Sequence, residues 1–83
     1  LYEWLLEQGR KLGVPGGSAF RASAGYGRHG RMHEDTFFEL AGEQTVQVEF
    51  VLDAVLAERL LEALRPHRLN LFYLRYAVEA GML

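Results

Sequence analysis

The 83-residue sequence contains no cysteine. That absence excludes disulfides, thiolate metal sites and cysteine nucleophiles together, and it fits a reducing compartment, so a cytoplasmic protein is expected. No apolar run approaches the roughly 20 residues of a membrane span, and no charged, apolar, small-residue leader is visible, so no membrane partner is expected. Positive charge is in short supply as well. Nine Lys and Arg stand against 11 Asp and Glu, a net charge of -2, which leaves no overall cationic field to hold nucleic acid. There are two prolines, Pro15 and Pro66, and each punctuates the chain at one place.

What the chain does have is 49% hydrophobic residues and 24% charged ones, the balance of a globular protein, in a length that allows one domain, taken as residues 1–83. From Leu1 to Leu12 the positions Leu1, Leu5 and Leu12, with Gly9 between them, fall on one helical stripe. Gly13 suits the C-terminal cap, and Pro15-Gly16-Gly17 prevents continuation. SAFRASA, from Ser18 to Ala24, alternates as a strand would, with Phe20, Ala22 and Ala24 on one face and Arg21 and Ser23 on the other. TVQVEFVL, from Thr45 to Leu52, is the clearest strand, with Val46, Val48 and Phe50 facing one way; Phe20 and Phe50 are expected to share a core. Asp53 is placed to cap a second helix running to about Arg65, with Leu56, Leu60, Leu61 and Leu64 on its apolar side, and Pro66 stops it. LNLFYLRYAV, from Leu69 to Val78, reads as a last strand that is apolar on both faces.

The order is helix, strand, loop, strand, helix, strand. One further strand before Leu1 would complete βαββαβ, the α+β ferredoxin-like sandwich, in which the first strand lies between the third and the last. We therefore expect roughly ten more residues N-terminal to Leu1. Both helices of that fold lie on one sheet face, and a bare opposite face carrying Phe72 or Tyr73 favours oligomerisation.

Between the two clear strands lies GYGRHGRMHE, from Gly25 to Glu34. Its first six residues match G-x-G-x-x-G, but a dinucleotide fingerprint needs those glycines to join a strand to a helix within a parallel sheet, which 83 residues of this pattern do not provide. A smaller anion site survives that objection. Gly25, Gly27 and Gly30 let backbone N–H groups turn inward as a nest, Arg28 and Arg31 add guanidinium forks, His33 adds a donor and Tyr26 a wall. The bland alternative is a solvated loop whose arginines meet neighbouring carboxylates such as Glu34 or Asp35. His29 and His33, four apart, with Glu34, make a weaker case for a metal site. Neither the serines nor the carboxylates form an acid/base or nucleophile pattern, so no catalytic residue and no cofactor is assigned.

The turn Gly25-Tyr26-Gly27, the Gly30-Arg31-x-His33 after it, the strand closing in Val51-Leu52-Asp53, and LNLFYLRYAV together resemble a bacterial family of PII-like proteins, domain of unknown function 190. The resemblance covers nearly the whole chain. It implies a ferredoxin-like protomer that assembles as a homotrimer through its sheets, with the segment between the two strands as counterpart of the PII signalling loop. The expected function is that of a non-enzymatic sensor or adaptor. It would bind a small anionic ligand or nucleotide at subunit clefts through residues 25–33 and could touch a protein partner through the same loop. A metal-responsive trimer resembling CutA-type proteins, using His29 and His33, is the alternative, and a ligand-free interaction module is the third.

Overall fold

The computed structural model describes residues 1–24 and 45–83. Its first element is helix α1, Tyr2–Lys11, which buries Leu5 and Gly9 and leaves Leu1, at its N-cap, exposed. The Glu7–Arg10 pair runs along its outer surface, with Arg10 Nε donating to Glu7 Oε1 at 2.9 Å. That bond, helped by the nearby positive charge, holds the Glu7 carboxyl below its usual range.

The helix ends in a Schellman motif. Val14 N–H donates to the Gly9 carbonyl at 3.0 Å and Gly13 N–H to the Arg10 carbonyl at 3.1 Å, so two carbonyls orphaned by the helix end find donors. Gly13 carries φ of +88°, a left-handed conformation that costs a side-chain-bearing residue about 1 kcal/mol or more. Val14, the next residue, turns inward and is buried, as the apolar residue closing such a motif does.

Strand β1, Gly16–Arg21, follows at once and pairs antiparallel with β2, Val46–Val51. The register places Gly17 opposite Phe50, Ala19 opposite Val48 and Arg21 opposite Val46, so these six residues share the face that α1 covers. Phe50 fills that interface. Its ring lies over Gly17 and against Gly9, and a Cβ on Gly17 would sit 2.7 Å from Phe50 Cε1. The strand therefore begins two residues earlier than expected, because the two glycines that look like a breaker supply the room the ring needs.

The same register corrects the expected core. Phe20 is opposite Gln47, on the face turned away from α1 and Phe50, and is 51% exposed. Alternation holds within each strand, and β2 follows it as expected, with Val46, Val48 and Phe50 more buried than Gln47, Glu49 and Val51. What differs is the face of β1 that meets the helix: it is the face of Gly17, Ala19 and Arg21, with Arg21 on the covered side instead of the outer one.

Asp53 caps helix α2, Ala54–Leu64, as expected: its Oδ1 accepts from Leu56 N–H at 2.8 Å. Leu60 is buried and Leu56, Leu61 and Leu64 are half-buried beside it. The helix passes into a 3₁₀ turn, Arg65–His67, around Pro66. His67 packs on Trp4 of α1 in a T-shaped pair with centroids 4.8 Å apart, which ties the turn to the first helix.

The expected last strand is not formed. Arg68 and Asn70 both carry left-handed backbone, with φ of 50° and 58°, which breaks the extended run at its start. Residues 71–83 carry no regular secondary structure, and the sheet of the described residues has two strands, β1 and β2. An ion pair between Arg75 Nη1 and Glu58 Oε2, at 2.7 Å, holds this segment to α2. The result is a small α+β unit of two antiparallel strands and two helices, compatible with a ferredoxin-like fold.

Candidate functional site

The residues assigned to anion binding from the sequence, Gly25, Tyr26, Gly27, Arg28, Gly30, Arg31 and His33, lie outside the described residues, as do His29 and Glu34. The structure does define the ground they stand on. The hairpin ladder continues one bond past its last paired residues, Arg21 and Val46, where Ala22 N–H donates to the Thr45 carbonyl at 2.8 Å. The described residues on either side of residues 25–44 are thus held side by side in two paired strands.

At that end of the ladder is a small surface cleft lined by Tyr2, Ala19, Phe20, Arg21 and Val46. Each residue arrives there for a local reason. Because α1 ends at the start of β1, its first residue, Tyr2, lies over the far end of the strand. Ala19, Arg21 and Val46 come from the helix-covered face by strand alternation, and Phe20 borders the cleft from between Ala19 and Arg21. The lining combines one guanidinium-bearing and one phenol-bearing residue with the apolar Ala19, Val46 and Phe20.

Sequence reasoning missed this cleft. Tyr2 reads from the sequence as a packing or interface residue, and Arg21 as a residue of the outer face. The signal that could have found it is the spacing Gly17, Ala19, Arg21, which puts two small residues and an arginine on the same sheet face as Phe50 once the glycine is recognised as room for that ring. Among the described residues no group of three His, Cys, Asp or Glu side chains is placed to hold a metal ion. No described helix is long and apolar enough to cross a membrane.

A UPF0166 protein of Aquifex aeolicus (strain VF5) is 33% identical to this chain over 64 residues, which is 77% of this chain and 61% of the relative. The chain therefore spans less than two thirds of that curated relative's length. No solved structure matches it. The model of a family catalogued as domain of unknown function 190, described as "Uncharacterized ACR", matches residues 1–74, and the chain belongs to that family, the PII-like one its motifs resemble.

Proposed function

We propose that this chain is the ferredoxin-like protomer of a PII-like sensor or adaptor, a cytoplasmic homotrimer that binds a small anionic ligand through residues 25–33 at a cleft between subunits. The observation that carries the reading is the base of the hairpin. Two strands in fixed register, closed by the Ala22–Thr45 bond, hold the described residues on either side of residues 25–44. Family membership supports the reading, and the absence of a catalytic pattern in the sequence agrees with a binding role.

The proposed fold also includes a strand from before Leu1, lying between β2 and residues 71–78. That strand would supply the ladder these residues need to become the last strand.

Thermal shift of tag-free protein with inorganic phosphate, nucleotides, other anions and divalent metals tests the reading, because a ligand that prefers the folded state raises its apparent stability. An anion shift abolished by Arg31→Ala, with the trimer intact on a sizing column, is the expected result. No anion shift, with a zinc or copper shift lost in His33→Ala, would replace it with the metal-responsive alternative.

A further inference from the structure

We draw no further inference here: the strongest candidate, the exposed apolar surface of the C-terminal segment 71–83, which the Arg75–Glu58 ion pair holds to α2, carries none because nothing in the structure shows what covers it.

Discussion

At the scale of single residues, the packing turns on three side chains, two of which are only hydrogen atoms. Gly9 in α1 and Gly17 in β1 flank the Phe50 ring. A Cβ on Gly9 would lie 2.9 Å from Phe50 Cζ and closer still to Cε1, and one on Gly17 would lie 2.8 Å from Cδ1 and 3.0 Å from Leu6 Cδ2. In an exposed helix, Gly→Ala gains about 1 kcal/mol from propensity. Here the methyl group meets an aromatic ring held by a strand, and overpacking of this kind costs about 1–3 kcal/mol. The steric cost should win, so Gly9→Ala is expected to destabilise the protein by about 1 kcal/mol in urea unfolding instead of stabilising it. Phe50→Leu in the same chain should return much of that loss, a coupling that a double-mutant cycle reads directly. A stabilised Gly9→Ala protein would mean that the ring moves aside freely and that the α1–sheet interface is looser than its geometry.

At the scale of elements, the two helices owe their ends to local chemistry, which is why the sequence reveals them so well. Asp53 is the clearest case. Its carboxylate accepts from Leu56 N–H at the first turn of α2, so Asp53→Ala should cost about 1 kcal/mol, Asp53→Asn much less, by thermal or urea unfolding. Equal losses in the two variants would mean that the negative charge at the helix N-terminus matters more than the hydrogen bond. The Gly13 cap and the stop at Pro66 were legible for the same reason: donor, acceptor and backbone angle all lie within a few residues. The strands were half legible. Alternation located β2 within a residue at each end and gave its faces correctly, but which face of β1 meets α1 depends on register, a relation between distant residues that no local pattern contains. The bulk of Phe20 pointed the wrong way, and the real determinant was the emptiness of Gly17. Residues 69–78 are strand-like in composition, yet a strand exists only with a ladder partner, and composition does not say where that partner is. The cleft followed the same rule, since Tyr2 and Arg21 are 19 positions apart and are brought together by the packing of α1 along β1.

At the scale of the whole molecule, the described residues bury little for their number: Leu5, Val14 and Leu60 make up the buried hydrophobic set. Large apolar side chains stand exposed on the open sheet face, with Phe20 at 51% and Val51 at 57%, and along the C-terminal segment, with Leu74 and Tyr76 both at 74%. Exposed apolar area on this scale marks surfaces that contact something. The proposed assembly covers the open face with neighbouring subunits. That covering can be probed at Val51, which lies opposite Gly16 on the face that carries Phe20. Val51→Glu puts a charge where subunits would meet, and burying an unpaired charge costs several kcal/mol. The expected outcome is a shift from trimer toward monomer in sedimentation, with the circular dichroism of the protomer preserved, since this exposed side chain contributes little to the packing of α1 on the sheet. A Val51→Glu protein that remains trimeric would move the subunit contact off the sheet face.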